Sequence, residues 1–374
     1  MSEIKIIEVN SKNELKSFIK FPNKLYKNNE FYIPALFKSE LKTLTSENNP
    51  AFEYCSAKYW LAYKNNEIVG RIAGIINNKY NEKHNIKYAR FGWIDFIDNE
   101  EITDALLKTV ENWAEENKME YLHGPLGFIS FDASGVLVEG FDEIPTSFAH
   151  YNYQYYDEKI KACGFEKDVD WIEFNIKVPD KVPERIVKSS KIIEERYNLH
   201  NADLKNKKDI LKYSEELFNL LNDSYSGVYG FSELTKKQIK NLKNDFLGFI
   251  STDYISIIIN EKNELVAFGI TIPSLSKALK KSNGKLFPFG FLRILKALKN
   301  NDTVDLLLIG VKKEYQNKGV HALIFNKIGN TFVKNRIKYI ETTRELEENN
   351  KVKLLWTDYE LRQHKKSRCY IKKL

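Results

Sequence analysis

Residues 305–332 read DLLLIGVKKEYQNKGVHALIFNKIGNTF, and this stretch decides the fold. The aliphatic run 306–311 predicts a buried strand, and the apolar residues after Gly319 recur every three or four positions, which predicts an amphipathic helix. Residues 316–319 (Gln-Asn-Lys-Gly) form a short basic turn between them. The first N–H groups of a helix lack partners within it and lie at the positive end of its dipole. By itself, the turn is therefore either a site for a phosphate-like anion or one of the many strand-to-helix turns that contain a glycine and bind no ligand.

The same order of elements occurs earlier in the chain, and the two copies align when Phe91 is laid on Ile309. In this alignment, Phe91-Gly92-Trp93 matches residues 309–311, and the apolar helix positions that begin at Ile102 match those that begin at Val320. A strand-turn-strand pattern precedes each copy. The sequence therefore predicts an α/β (α+β) fold of two tandem domains, residues 1–178 and 179–374, each a mixed central sheet flanked by helices.

The two strand-turn-strand patterns match at a smaller offset than the elements that follow them, so the second half contains an insertion of roughly 20 residues. Residues 273–301 are that insertion, and they hold two short basic amphipathic segments around a loop with Gly284, Pro288 and Gly290. Two interpretations stay open: a surface elaboration, or a lid or wall over a ligand.

The composition predicts a folded chain without a membrane partner. Of the 374 residues, 43% are hydrophobic and 29% charged, which lies outside the range of disordered proteins. No apolar run approaches the roughly 20 residues that cross a bilayer, and the N-terminal residues lack a signal-peptide core. We expect a cytoplasmic protein.

Several chemistries have no support in the sequence. The three cysteines are widely separated, so neither a disulfide framework nor a metal knuckle is expected, and no metal site is predicted. GxSxG, GxxxxGK[ST] and HExxH motifs are missing, which argues against hydrolases, nucleoside triphosphatases and zinc enzymes. His123, in the HGPLGF loop, is interpreted as structural.

Charge is unevenly distributed along the chain. Residues 1–178 carry 21 Lys+Arg and 28 Asp+Glu, and residues 179–374 carry 37 and 23, so the net charges are −7 and +14. Either an anionic partner meets the second half, or its lysines cover a solvated surface. The basic tail 364–374 alternates as a sheet strand does, so a nucleic-acid partner is not expected.

The turn resembles a known cofactor-binding signature. Residues 311–322, VKKEYQNKGVHA, are similar to the acyl-CoA-binding loop of the GNAT acyltransferase superfamily, Gln/Arg-x-x-Gly-x-Gly/Ala. Gln316 and Gly319 match, and His321 replaces the third small residue. The resemblance, which extends to the element order of both halves, implies acetyl-CoA or another acyl-CoA as cofactor. It implies that strand residues Ile309, Gly310 and Val311 bind the pantetheine arm and that Gln316, Asn317, Lys318, Gly319, Val320 and His321 hold the pyrophosphate.

The first repeat has lost this loop. In the alignment of the two copies, the Gln-Asn-Lys-Gly turn becomes residues 98–101, Asp-Asn-Glu-Glu. Three carboxylates repel a diphosphate, whereas acidic residues suit a capped helix start. We therefore interpret the N-terminal domain as a degenerate repeat without a cofactor site.

Candidate catalytic groups follow the second repeat's helix. Glu341 follows the next strand-like residues and is a candidate base, acting directly or through water, or else a carboxylate that pairs with Lys338 or Arg344. In the resembled family a tyrosine acid lies about seven residues beyond an asparagine; counted from Asn349, that position is Trp356, which cannot donate a catalytic proton. Tyr359 and Tyr370 are the candidate substitutes.

The candidate acceptor pocket lies between the first helix and the strand pair of the second half. There the resemblance implies a substrate-lining role for Asn222, Tyr225 and Tyr229, with Phe287 and Phe289 completing the pocket. Aromatic residues at such spacing also serve as packing residues.

Three functions remain open from the sequence. The first is acyl-CoA-dependent N-acyl transfer, with acetyl transfer to an amine of a small molecule or peptide as its expected form. The second is a non-catalytic acyl-CoA-binding or interaction protein, which Trp356 and His321 favour. The third is an aminoacyl-tRNA-dependent transferase, a class that also carries paired domains of this type.

Overall fold

The computed structural model describes residues 3–247, 250–349 and 354–374. The chain forms two compact units. Unit 1 comprises the chain up to Ile172 together with Ser276–Ile294 and His364–Leu374, and unit 2 comprises Glu173–Leu275 and Leu295–Gln363. Residues 276–294, most of the helical insertion, and residues 364–374, which include most of the last strand, thus belong to unit 1, although the sequence predicts both stretches in the second domain.

The elements before the boundary are β1 (Ile4–Glu8), α1 (Lys12–Leu25), α2 (Phe37–Thr43), β2 (Cys55–Lys64), β3 (Glu67–Asn77), α3 (Asn78–His84), β4 (Tyr88–Phe96), α4 (Glu100–Glu116), β5 (Tyr121–Gly124), β6 (Val136–Glu139), α5 (Tyr155–Ala162) and β7 (Glu166–Lys177). Those after it are α6 (Glu184–Tyr197), β8 (His200–Asn201), α7 (Lys207–Lys212), α8 (Ser214–Tyr225), α9 (Lys236–Leu247), β9 (Ile255–Ile259), β10 (Leu265–Pro273), α10 (Ser276–Ser282), α11 (Gly290–Lys299), β11 (Thr303–Val311), α12 (His321–Lys334), β12 (Tyr339–Thr342), β13 (Glu345–Leu346) and β14 (Leu361–Lys373).

Unit 1 is built on a mixed sheet with strand order β1-β2-β3-β4-β5-β14. β4 and β5 run parallel, and the other neighbours are antiparallel. Helix α4 packs on β3, where glycines let it approach closely: a Cβ at Gly70 would lie 2.7 Å from Leu106, and one at Gly74 would lie 2.8 Å from Trp113. Helix α1 contacts β3 and β4 through a second apolar cluster that includes Phe18.

A buried ion pair ties β3 to β4 inside unit 1. The Arg71 Nε lies 2.7 Å from the Asp95 Oδ2, and the two side chains are only 4% and 9% exposed. The hydroxyl of Tyr26 donates to the other Asp95 oxygen at 2.7 Å, and Arg71 also donates to the carbonyl of Phe18. The charges are therefore fully engaged, which is the condition under which a buried pair is tolerated.

Unit 2 has the strand order β8-β9-β10-β11-β12, followed by the end of β7. β9 and β10 form an antiparallel hairpin, β10 pairs antiparallel with β11, and β11 pairs parallel with β12. Helix α12 packs on β9, β10 and α6, and a Cβ at Gly269 would lie only 2.4 Å from Ile324. Helix α8 packs on β10 and β11.

The repeat predicted from the sequence is visible in the elements. The alignment that lays Phe91 on Ile309 also lays β5 on β12 and most of α4 on α12. The last strand of each half is exchanged: residues 364–373 of β14 lie beside β5 in unit 1, while residues 175–177 of β7 lie beside β12 in unit 2. Each sheet is thus completed by a strand from the other sequence half.

Within the described residues, the helices are too short or too polar to traverse a lipid bilayer.

The buried ion pair predicts a large stability effect. Replacing Asp95 by alanine leaves Arg71 charged and buried, so we expect the free energy of unfolding to fall by about 3–5 kcal/mol in urea denaturation. The matched change Glu120→Ala removes an exposed pair with Lys87 and should cost less than about 1 kcal/mol. Equal effects of the two changes would contradict the network.

Candidate functional site

The central strand β11 is paired with β12 over only part of its length. The parallel pairing joins Thr303–Leu306 to Tyr339–Thr342 and goes no further. On the other side of β11, the register with β10 shifts between Ile270 and Thr271, which leaves Leu307 as a bulge residue. Residues 307–309 are half-buried, whereas 304–306 are buried. The two strands therefore separate beyond Leu306.

A tyrosine and a threonine line the separation. The Tyr225 hydroxyl, at the end of α8, donates to the carbonyl of Ile309 at 3.3 Å, and the Thr343 N–H donates to the carbonyl of Leu306 at 3.3 Å. Burial raises the pKa of Tyr225 to about 12, and the charge of Glu345 acts in the same direction. Tyr225 is therefore protonated at neutral pH and able to donate. Glu345 lies on the two-residue strand β13, and only the fold brings it near Tyr225.

The turn before α12 exposes backbone N–H groups at the helix start. Asn317 and Gly319 have left-handed backbone, with φ of 61° and 77°. Val320 precedes the first helical residue, and its side chain supplies no cap. Among the described residues, no acceptor takes the N–H groups of Gly319, Val320 or His321. Three donors at the positive end of a helix form a cradle for an anion.

The side chains of the turn leave that cradle unfilled. The Gln316 amide donates back to the carbonyl of Val311 at 3.2 Å. The Lys318 ammonium lies over the rings of Tyr197 and Tyr315, at 5.2 and 5.3 Å. Burial lowers the pKa of the His321 imidazole, which is therefore neutral at pH 7 and packs against Phe325. The positive charge at the turn therefore comes from Lys318 and from the backbone N–H groups at the start of α12.

The equivalent helix start in unit 1 is closed. The Asn99 side chain accepts the Ile102 N–H at 3.1 Å, and Glu100 and Glu101 occupy the first turn. Asp98 pairs with Lys159 at 2.9 Å. Asn99 thus caps this helix, and its first turn carries carboxylates, whereas the start of α12 has bare N–H groups.

The strand separation in unit 1 is filled by the chain itself. After β5, the Leu126 N–H donates to the carbonyl of Phe91 at 2.8 Å. A Cβ at Gly92 would lie 2.4 Å from the Leu126 carbonyl oxygen, so the segment lies directly against β4. His123 is buried, and burial lowers its pKa well below the usual value, in keeping with the structural role expected for it.

Glu341, the candidate base, lies on β12 beside the separation. Its Oε1 accepts from the Asn175 amide at 2.6 Å, and its neighbour across the sheet is the fully buried Asp305. Side chains alternate along a strand, and Ile340 and Leu306 line an apolar pocket against α12. Glu341 and Asp305 therefore lie on the other face of the sheet.

Tyr359, a candidate acid, lies on the α12 face. It lines the apolar pocket with the buried Trp356, at a ring distance of 6.2 Å. Burial raises its pKa to about 12. The pocket is narrow, about 20 Å³, so it has no room for a substrate. Because Tyr359 and Glu341 lie on opposite faces of the sheet, the structure does not bring these two candidates together.

Tyr370, the other candidate acid, lies in the core of unit 1. Its side chain is fully buried, its hydroxyl donates to Asp157 at 2.6 Å, and burial holds its pKa far above the usual value. A hydroxyl in this position has no access to a substrate. The sequence expectation fails here because β14 completes the sheet of unit 1.

The candidate acceptor residues are in different environments. The Asn222 amide donates to the carbonyl of Leu234 and accepts its N–H, so it holds the loop after α8. Tyr229 is half-buried in that loop, near Tyr225 in sequence. Phe289 is 63% exposed and belongs to unit 1. The Tyr225 hydroxyl reaches β11, where it donates to the carbonyl of Ile309.

Two curated relatives cover most of the chain, although no family model matches the sequence. Protein YghO of Escherichia coli (strain K12) is 26% identical over 370 residues, 97% of this chain and 94% of the relative. A protein named bacterial ceramide synthase, from Caulobacter vibrioides (strain NA1000 / CB15N), is 26% identical over 323 residues, 84% of this chain and 82% of the relative.

Solved structures share the architecture at low identity. A tandem GNAT protein from the clavulanic acid biosynthesis pathway, solved without AcCoA, matches with a TM-score of 0.57 and 10% identity, over 99% of this chain and 98% of that one. A probable N-acyltransferase from Enterococcus faecalis V583 matches with a TM-score of 0.52 and 8% identity, over 100% of this chain and 73% of that one. The chain has the tandem GNAT fold. The fold class expected from the sequence is thereby confirmed.

Among the described residues of this GNAT fold, no three His, Cys, Asp or Glu side chains are grouped so that they could hold a metal ion.

The left-handed turn residue makes a testable contribution to stability. Replacing Gly319 by alanine puts a Cβ on a backbone with φ of 77°, so we expect the free energy of unfolding to fall by about 1 kcal/mol. Gly227 lies in the same unit with no atom within 4 Å of its would-be Cβ and no left-handed φ, and Gly227→Ala should leave stability within about 0.5 kcal/mol. Denaturant midpoints measure both, and an unaffected Gly319→Ala variant would contradict the turn geometry.

Proposed function

We propose that this protein is an acyl-CoA-dependent N-acyltransferase and that unit 2 holds the coenzyme. What carries the proposal is the uncapped start of α12, where three N–H groups lack acceptors among the described residues, beside a glycine with left-handed backbone. A diphosphate fits this donor set, because backbone donors and the helix dipole both favour anions.

The open start of α12 determines which residues we assign to coenzyme binding. The N–H groups of Gly319, Val320 and His321 would bind the diphosphate, with Gln316, Asn317 and Lys318 around it. The end of β11, residues Ile309, Gly310 and Val311, would contact the pantetheine arm. Unit 1 offers no comparable site, because Asn99 and its acidic neighbours occupy the corresponding helix start.

The chemistry of the site is amide formation. When bound, acyl-CoA supplies an activated thioester. Glu341 is proposed to take the proton of the attacking amine, directly or through water, while its Asn175 partner fixes the carboxylate. Tyr225, protonated and within reach of β11, replaces Tyr359 and Tyr370 as the proposed donor to the leaving sulfur. Holding amine and thioester together between β11 and β12 supplies the remaining rate advantage.

The acceptor is proposed to be a primary amine. The relative named bacterial ceramide synthase extends the range to be tested, since ceramide is the amide of a fatty acid and a long-chain amino alcohol. We therefore propose long-chain acyl-CoA and long-chain amino alcohols as substrates to compare with acetyl-CoA and with small or peptide amines. The same comparison includes aminoacyl-tRNA, the donor of the alternative transferase class.

Coenzyme binding has a sharp test. Gly319→Glu adds strain and a carboxylate at the cradle, so CoA affinity in calorimetric titration should fall at least tenfold. Gly164→Glu is the matched control: Gly164 also has left-handed φ, at 84°, and belongs to unit 1, so CoA affinity should be unchanged. Loss of binding in both variants, or in neither, would refute the assignment of the site to α12.

Catalysis is tested by release of free thiol from acyl-CoA when amines are added. Glu341→Gln removes the base and should lower kcat about 100-fold or more with CoA affinity retained. Glu360→Gln, at an exposed carboxylate paired with Lys177, is the matched control and should not change kcat. CoA binding without thiol release from any amine would instead support a non-catalytic binder, and activity with charged tRNA alone would support the alternative transferase class.

A further inference from the structure

The helical insertion carries a concentrated exposed apolar surface, most of it in unit 1. Twelve large hydrophobic residues are exposed among those whose side chains the structure describes, and five of them fall between residues 287 and 295. They are Phe287, Phe289, Phe291, Leu292 and Leu295, and the first two are 67% and 63% exposed. Scattered exposed apolar residues are ordinary, but a contiguous group of this kind indicates a binding surface.

The same segment is uniformly basic. Residues 276–301 contain seven lysine and arginine residues and no aspartate or glutamate. Lys38, from α2, adds another cation, with its ammonium 5.7 Å from the centre of the Phe287 ring. The charged residues of this segment are therefore all basic.

Helix α11 carries its buried residues, its exposed apolar residues and its basic residues on three different faces. Gly290 and Ile294 are buried and attach the helix to the protein. Phe291 and Leu295, four residues apart, lie exposed on a second face, and Arg293 and Lys296 lie exposed on a third. An exposed apolar face bordered by lysine and arginine is the arrangement of helices that lie in a membrane interface, where long cationic side chains reach the headgroups.

The segment is held in a defined position within unit 1. The Ser276 hydroxyl donates to the carbonyl of Pro145 at 2.7 Å, and the Phe37 N–H donates to that of Gly284 at 3.4 Å. The Arg293 guanidinium donates to the carbonyl of Lys281, which links α11 to α10. The exposed phenylalanines are thus presented by a fixed loop and helix.

We propose that the face formed by residues 285–294, the insertion face, docks on an anionic lipid bilayer. Phe287, Phe289 and Phe291 enter the interface, while Lys285 and Arg293 meet lipid phosphates. Charge decides against a second copy of this chain as the occupant, because a self-complementary contact would place like charges together. This surface departs from the expectation of a protein without a membrane partner, and from both earlier interpretations of the insertion. It does not depend on the proposed acyl transfer.

The test is cosedimentation of the full chain with vesicles. Vesicles of phosphatidylcholine and phosphatidylglycerol in equal parts should bind the protein, vesicles of phosphatidylcholine alone should bind it at least tenfold more weakly, and added salt should weaken binding to the anionic vesicles. Equal binding to both vesicle types, or no binding to anionic vesicles, would overturn the proposal.

Two double variants test whether the insertion face is the surface that contacts the vesicles. Phe287→Ser with Phe289→Ser should weaken binding to the anionic vesicles at least tenfold, with the thermal midpoint unchanged because both side chains are exposed. Val187→Ser with Ile192→Ser removes exposed apolar residues from α6 and should bind like the parent. Equal vesicle binding by the phenylalanine variant and the parent overturns the proposal. So does a parent that self-associates in sedimentation velocity through the same two phenylalanines, since the occupant would then be a second copy.

Discussion

Both units depend on a parallel strand pair that is only a few residues long. In unit 1, β4 and β5 pair over Tyr88–Arg90, and in unit 2, β11 and β12 pair over Thr303–Leu306. Beyond that point the backbone groups of the longer strand need other partners, because unpaired buried groups are costly. Unit 1 provides its own chain, through Leu126, and unit 2 provides a side-chain hydroxyl, from Tyr225. In unit 1, the chain segment fills the space between the two strands. In unit 2, that space stays open and is lined by groups that can be displaced.

The helices α4 and α12, which follow the longer strands β4 and β11, also begin with unpaired N–H groups, and the two units treat these groups differently. In α4, the side chain of Asn99 accepts one of the unpaired N–H groups, and two glutamates complement the dipole. In α12, the residue before the helix is valine, and the donors of three successive residues have no acceptor within the described protein. The duplicated fold thus has one helix start stabilised from within and one that a ligand would stabilise.

Local patterns were enough to predict the repeat, the mixed sheets and the capped helix start of unit 1, because each rests on spacing within a few turns or strands. The partner of β14 was not predictable in this way. Its alternation indicates a strand, but Tyr370 pairs with Gly124, in the other half of the chain, and such a distant pairing leaves no local signal. Tyr370 was therefore assigned to the wrong environment. Glu345 was missed for a similar reason: its proximity to Tyr225 arises only in the folded chain.

The exchanged strands also bear on how the chain is made. Residues 364–373 are synthesised only after the whole of unit 2, so the sheet of unit 1 stays open beside β5 while the ribosome adds unit 2. An open sheet edge is a template for pairing with other chains. A chain that stopped before residue 364 would therefore keep this open edge at β5.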